Sequence, residues 1–253
     1  MKISGRKGRY GIDAPYVPGG MLVGVIASLV LAVFGHPRAW WAAWAVVLLI
    51  AAAVYLHATL RGKFSVWRER LDGMRLRGDE RLLDLGCGRG AVLLMAAEHL
   101  PEGRAVGIDI WSGKDQSGNA IEVTQANAAA EGVADRVELH TADMRKLPFD
   151  DASFDAIVSN VAIHNIPTRA GRDQAIDEAW RVLRHGGRLI IADISKSNQY
   201  RRRLAALGVT ATRHNLGWRM WWGGPWMPTM VIEAHKPDDC RELPALVAHR
   251  AGG

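Results

Sequence analysis

The stretch LLDLGCGRGAVLLMAAEHL, residues 82–100, decides how this chain is read. It opens on a short apolar run of strand length. Gly86, Gly88 and Gly90 follow, and then an apolar run of helical length. A strand, a glycine turn and a helix in succession bring backbone close to a ligand, because glycine has no Cβ to hold it away. In an open parallel sheet such a turn lies at the carboxyl end of a strand, where ligands bind. GCGRGA at 86–91 also fits the G-x-G-x-x-A spacing of a dinucleotide site, so the turn alone does not name its ligand.

Working outward, RLLDLG (81–86), GRAVGIDI (103–110), RVELHTA (136–142), FDAIVSN (154–160) and GGRLIIADI (186–194) read as short buried strands. Residues 91–100, 119–131 and 168–184 carry helical patterns between them. Such alternation predicts βαβ units, a parallel sheet and helices on both faces. Asn119 with Glu122 has the spacing of a capping box and predicts a helix start. A helix near 199–207 and two strand-like pieces, 209–216 and 229–235, predict an antiparallel pair at the end of the sheet. The short tail 237–253 carries no pattern.

An acid stands at each of three strand ends: Asp84, Asp109 and Asp143. Asp84 would repel a pyrophosphate. S-adenosylmethionine has no phosphate and carries a cationic α-ammonium and a sulfonium, so an acid beside the turn attracts it. Asp109 is placed for both ribose hydroxyls, and Asp143 for an adenine amine. Each aspartate alone reads as a helix cap or surface charge; three in step with three strand ends read as a site.

LLDLGCGRG, GIDI, TADMRKLPFDDASFDAIVSN and RVLRHGGRLIIADI together resemble the class I S-adenosylmethionine-dependent methyltransferases. The similarity is greatest to the branch containing quinone and sterol methyltransferases, and it extends over residues 63–236. The resemblance implies an α/β, Rossmann-like sheet of seven strands with the last reversed. It implies that Asp84, Gly86, Gly88 and Gly90 border the methionine part, Asp109 the ribose, and Asp143 with Met144 the adenine. Ile110, Trp111 and Asn160 complete the expected cofactor set; no metal is expected.

Two departures from the family pattern bear on substrate and site. SNVAIHNIP after the fourth strand lacks the Asn/Asp-Pro-Pro-aromatic motif of enzymes that methylate base amines, so nucleic acid is not expected as a substrate. The link WSGKDQSGN (111–119) is longer than usual. It reads either as a lid with Trp111 on the base or as a surface loop with Trp111 packed in the core.

A sulfonium methyl is already activated, so the reaction is an in-line displacement that needs mainly proximity and orientation. A protonated acceptor must also lose its proton, and His164 falls where the acceptor approaches. Asn160 and Asn165 flank it, placed to orient substrate or fix the imidazole. A satisfied structural histidine is the alternative. NLGWRMWWGGPWMP (215–228) holds Trp218, Trp221, Trp222 and Trp226, of which Trp218, Trp221 and Trp222 are candidates for the acceptor pocket; core packing is the alternative.

The chain has 253 residues, 23% of them charged and 49% hydrophobic, so it is not disordered as a whole. Its net charge of +6 favours an anionic neighbour, nucleic acid or lipid. Cys87 and Cys240 cannot make a disulfide framework. Residues 17–35 and 39–60 are nearly continuous apolar runs separated by a short break, which predicts a transmembrane hairpin over residues 1–62. Lys2, Arg6, Lys7 and Arg9 precede it and Arg61, Lys63, Arg68 and Arg70 follow, while Arg38 alone lies in the bend. Both termini and the catalytic domain are therefore expected on the cytoplasmic side. Trp40, Trp41 and Trp44 stand where an interfacial belt belongs. A cleaved signal peptide and a pair of core helices are the rivals for this region.

The leading expectation is a membrane-anchored methyltransferase for a lipophilic small molecule or membrane lipid. Two others are a methyltransferase for a diffusible acceptor such as a thiol, and a non-catalytic cofactor-binding membrane protein. A chain beginning near Arg61 is expected to keep the cofactor site.

Overall fold

A computed structural model describes residues 5–112, 116 and 118–238. Cys240, most of the tail and much of the 111–119 link lie outside the described residues.

Seven strands form one sheet: β1 (Arg81–Leu85), β2 (Arg104–Asp109), β3 (Val137–Thr141), β4 (Phe154–Asn160), β5 (Leu183–Asp193), β6 (Thr212–Asn215) and β7 (Met230–His235). Their spatial order is β3-β2-β1-β4-β5-β7-β6. All neighbours are parallel except at β7, which runs against both β5 and β6. The expected seven strands and the reversed last one are present. The chain moves outward from β1 through β2 to β3, then returns to the other side of β1 with β4. The reversal of strand order therefore lies at the carboxyl end of β1, where the glycine turn begins.

β1 shows why this sequence makes a central strand. Leu82, Leu83 and Leu85 are all fully buried, as a strand covered on both faces requires. Side chains alternate across the sheet. Leu83 and Leu85 face α6 (Arg169–Val182) and α7 (Ser197–Ala206), while Leu82 faces α3 (Lys63–Met74) and α4 (Ala91–Glu98). Asp84 shares the parity of Leu82, so its carboxylate enters the α4 side.

Several local expectations are corrected. The capping box does not form: α5 (Ile121–Glu131) has Ala120 at its N-cap with no side-chain cap bond. Asn119 turns instead to Asp109, its Nδ2 donating to Oδ1 at 3.2 Å. β5 starts at Leu183, ahead of the glycine pair, and α6 ends at Val182, short of 184.

Two helices near the start are long and apolar enough to cross a membrane. α1 (Tyr16–Phe34) and α2 (Arg38–His57) lie within about three residues of the runs read from sequence and pack against each other. Their large side chains point outward: Val23, Ile26, Phe34, Trp40 and Ile50 are all more than half exposed. α2 does not stop at a linker. It passes through a π-helical turn, Ala58–Gly62, directly into α3, so the expected domain boundary at residue 62 falls within one continuous helix, Arg38–Met74. α3 then docks on the sheet through Phe64, Val66, Trp67, Leu71 and Met74, all buried. Tyr10, Tyr55 and Ala58 belong to the same core cluster. The base of the hairpin is thus part of the α/β core.

The basic flanks are correspondingly fewer than the sequence counted. Lys63 is 1% exposed and its Nζ sits 2.7 Å from Asp13 Oδ2. Arg6 is buried against Glu98, and Arg70 pairs with Glu233 at 2.6 Å. Lys7, Arg9, Arg61 and Arg68 remain exposed around the base, and Arg38 at the bend.

Candidate functional site

A cavity of about 570 Å³ opens at the carboxyl ends of β1, β2 and β4. One side is built by the glycine turn. Gly86 and Gly88 have φ of 74° and 50°, left-handed values that disfavour any side chain. A Cβ on Gly86 would lie 2.4 Å from Ala162 Cβ. The turn is fixed from β2: Gly86 and Cys87 N–H both donate to the Ile108 carbonyl, and Gly88 N–H donates to Asp109 Oδ2 at 2.8 Å. Asp109 also accepts the Trp111 N–H on Oδ1 at 2.6 Å. It therefore ties the first two strand ends together while lining the cavity.

Asp84 lies in the wall beneath the turn, 2% exposed. Its Oδ1 is buried and has no hydrogen-bond partner. Burial, with Asp109 nearby adding repulsion, pushes its carboxyl up to about 8. A buried acceptor without a donor is costly unless a ligand completes it. The cation of S-adenosylmethionine supplies the missing charge, and the glycine cradle supplies room for it. The residues present fit that cofactor.

The other expected cofactor residues divide. Asp143, Met144 and Ile110 line the cavity. The Asp143 carboxylate is gripped by the Arg145 guanidinium, which holds it below the usual range. Trp111 does not reach the cavity lining: its indole N–H donates to Thr141 Oγ1 at 2.8 Å and the ring packs against the core. Gly90 opens α4 behind the wall.

Beyond β4, the chain bends sharply. Val161 takes φ of 52°, a left-handed value rare for a β-branched residue. The bend delivers the single turn Ile163–Asn165 to the cavity, and both His164 and Asn165 line it. His164 Nδ1 stands 2.6 Å from Asp193 Oδ1, an approach oblique to the ring N–H direction. Asp193 is 1% exposed and is further fixed by the His164 and Ile194 N–H groups and by the Tyr200 hydroxyl at 3.0 Å. Asn160 also lines the cavity, and its Oδ1 accepts the Trp67 indole N–H at 2.8 Å.

Of the tryptophan-rich link, Trp222 alone among the four tryptophans meets the cavity. It is 3% exposed, bonded through Nε1 to Thr229 and set edge-on to Tyr55 at 5.2 Å. Trp218 is 59% exposed and stacks on His57. Trp221 keeps its Nε1 buried without a partner, away from the cavity lining. The link approaches the hairpin closely enough that a Cβ on Gly62 would strike the Arg219 carbonyl.

Sequence reasoning missed two groups. Asp193 is an acid at a strand end, like the three that were read, and the same signal marks it. Asp13, Tyr16, Val17 and Tyr55 also line the cavity, from the N-terminal segment and hairpin base; no pattern in the sequence links these to the glycine turn. Among the described residues no cluster of His, Cys, Asp and Glu is suited to a metal ion.

Comparison with known proteins agrees with this fold. A family model described as methyltransferase domain matches residues 82–187. A demethylmenaquinone methyltransferase of Symbiobacterium thermophilum is 32% identical over 137 residues, 53% of this chain and 51% of the relative. A 27-O-demethylrifamycin SV methyltransferase of Amycolatopsis mediterranei is 37% identical over 139 residues, 54% and 47% of the two chains. A sterol 4-C-methyltransferase of Caenorhabditis elegans is 32% identical over 127 residues, 50% and 35%. The chain spans about half the length, or less, of these relatives. Among solved structures, a geranyl diphosphate methyltransferase in complex with S-adenosylmethionine superimposes with a TM-score of 0.56 at 17% identity, covering 72% of this chain and 87% of that one. The fold is that of S-adenosylmethionine-dependent methyltransferases.

Proposed function

We propose that this chain, built around a methyltransferase domain, is a membrane-anchored S-adenosylmethionine-dependent methyltransferase whose acceptor is a lipophilic small molecule or membrane lipid. The observation that carries the reading is the mixed lining of the cavity. The orphaned Asp84 oxygen and the glycine cradle belong to it. So do Tyr16, Val17, Trp222 and Met227, beside two helices whose apolar side chains face outward. A contiguous exposed apolar surface of this kind marks a membrane or partner contact. Exposed Lys7, Arg9, Arg61 and Arg68 beside that base favour a cytoplasmic catalytic side.

S-adenosylmethionine, when bound, supplies a methyl group activated by the adjoining sulfonium. Asp84, Gly86 and Gly88 would hold its methionine end, with Asp109 toward the ribose and Asp143 and Met144 toward the adenine. Asp193 sets a carboxylate 2.6 Å from His164 Nδ1, and the active tautomer carries its ring proton on that nitrogen. Nε2 is then left to take a proton from an acceptor hydroxyl, thiol or acidic carbon. Trp67 fixes the Asn160 carboxamide through its oxygen and leaves its NH₂ to orient the acceptor.

Transfer of radiolabelled methyl to a total lipid extract, run beside an extract of soluble metabolites, tests this reading. Label in the lipid fraction supports it. Label in the soluble fraction alone replaces it with a diffusible acceptor, and label in neither leaves a cofactor-binding protein.

A further inference from the structure

The segment ahead of α1 runs as a strap over the α/β domain. Arg6 lies 2.5 Å from Glu98 and 3.4 Å from Glu131. The Lys7 and Gly8 N–H groups and the Tyr10 hydroxyl all donate to Glu131 Oε1, and the Arg9 N–H donates to Asn127. The strap ends on Asp13, where two parts of the molecule meet. From the hairpin base, Thr59 Oγ1 and Lys63 Nζ each donate to Asp13 Oδ2 at 2.7 Å, and the Tyr55 hydroxyl donates to the Asp13 carbonyl at 2.8 Å. From the cofactor side, Gln116 Nε2 donates to Asp13 Oδ1 at 3.0 Å and to the Tyr10 carbonyl at 3.2 Å. Gln116 Oε1 accepts the Arg89 N–H of the glycine turn at 3.0 Å. Asp13, Lys63 and Gln116 all line the cavity.

We propose that Asp13 is a positioning residue for the cofactor: through Gln116 it sets the strap against the glycine turn, and through Tyr55, Thr59 and Lys63 it fixes that strap to the hairpin. The inference rests on the cofactor reading above and goes beyond it, because it makes the hairpin a structural part of the cofactor cleft. The hairpin is then neither an address nor a detachable anchor. A chain beginning near Arg61 loses Asp13, Tyr55 and Thr59 together, contrary to the expectation from sequence that it keeps the site.

Calorimetric titration of the full chain in detergent with S-adenosylhomocysteine tests this. Gln116→Ala should raise Kd about tenfold, and Asp13→Asn with Lys63→Met, which leaves no buried charge alone, should raise it similarly. All three changes together should cost no more than the larger of the two, since each cuts the same chain of contacts. A merely structural loss would lower the melting temperature of the Asp13/Lys63 variant and then act additively with Gln116→Ala. Additive losses, or an unchanged Kd for Gln116→Ala, overturn the inference. Failure of the wild-type chain to bind S-adenosylhomocysteine overturns the cofactor reading as well. Wild-type binding beside an inert Gln116→Ala overturns this inference alone.

Discussion

His164 Nδ1 lies 2.6 Å from Asp193 Oδ1, and the other oxygen of the same carboxylate accepts the His164 backbone N–H at 3.1 Å. One buried acid thus stands against the His164 ring and accepts its backbone N–H, and His164 lines the cavity. His164→Ala should lower kcat by roughly 10²–10⁴ with cofactor affinity nearly unchanged. Asp193→Asn should approach the same loss, because an amide NH₂ facing Nδ1 moves the ring proton to Nε2. Equal turnover by wild type and both variants, in a single-turnover methyl-transfer assay, would reject the base assignment.

Tyr200 offers a finer measurement. It is fully buried and gives its hydroxyl to Asp193 Oδ2. Tyr200→Phe removes one hydrogen bond to a charged acceptor, worth about 1.5–3 kcal/mol, while leaving the ring packed. A fall in kcat smaller than that of Asp193→Asn is expected. No fall would mean that Asp193 is held by its backbone donors alone.

Asp84 makes a pH prediction. Its carboxyl is raised to about 8 in the folded chain, chiefly by burial, so at pH 7 it is largely protonated. A bound cation favours the carboxylate and expels that proton. Calorimetry at pH 7 in buffers of different ionisation heat should show proton release on S-adenosylmethionine binding, fading above pH 9 and absent in Asp84→Asn. The stability sign is opposite to that of a salt-bridged acid. With the folded value above the unfolded one, the unfolded chain binds fewer protons between about pH 4 and pH 8, and stability falls as pH rises through that window. Asp84→Asn should therefore be more stable than wild type at pH 8–9 without cofactor, although it binds cofactor less tightly. Wild-type stability that is flat from pH 5 to 8 would refute this.

These tests fall on residues that the sequence exposed unevenly. The sheet was legible because β1, β2, β4 and β5 carry apolar runs bounded by turns, and because acids at the ends of β1, β2 and β3 signal a site. The α5 start was misread, since Asn119 is drawn to Asp109 by a charge distant in sequence from any capping pattern. Trp111 was open between two roles, and its bond to Thr141 together with its core packing favours the core. The strap was invisible for a plain reason. Its links, such as Gln116 to Asp13 across 103 positions, are side-chain contacts that leave no periodicity behind.

Gly86 gives the sharpest steric prediction. Its φ of 74° is left-handed, and an added Cβ would press on Ala162, which is carried by the bend after β4. Gly86→Ala should push apart the two sides of the cavity and weaken cofactor binding at least tenfold, with about 1–3 kcal/mol lost in stability. Circular dichroism melts and S-adenosylhomocysteine titration check both parts. Unchanged affinity would show that the turn does not face the cofactor.

The tryptophan-rich link divides its rings between the cavity and the surface. Trp222 is buried, lines the cavity and braces Tyr55. Trp218 and Trp226 are each more than half exposed, and Trp218 stacks on His57 at the end of α2. If a bilayer surrounds the hairpin, those two rings lie at its surface, where indoles settle readily because an apolar body and a polar N–H can both be satisfied. Trp222→Phe keeps most of the packing and should raise the Michaelis constant for a lipophilic acceptor in detergent as well as in vesicles. Trp218→Ala with Trp226→Ala should leave the detergent rate within about twofold, because neither ring lines the cavity, yet lower the rate on acceptor held in vesicles about tenfold, through loss of interfacial contact and of local concentration. Equal loss in both media would mean that these rings act on the fold of the link. No loss in either would mean that the link does not touch the membrane, and the acceptor would then have to arrive through water.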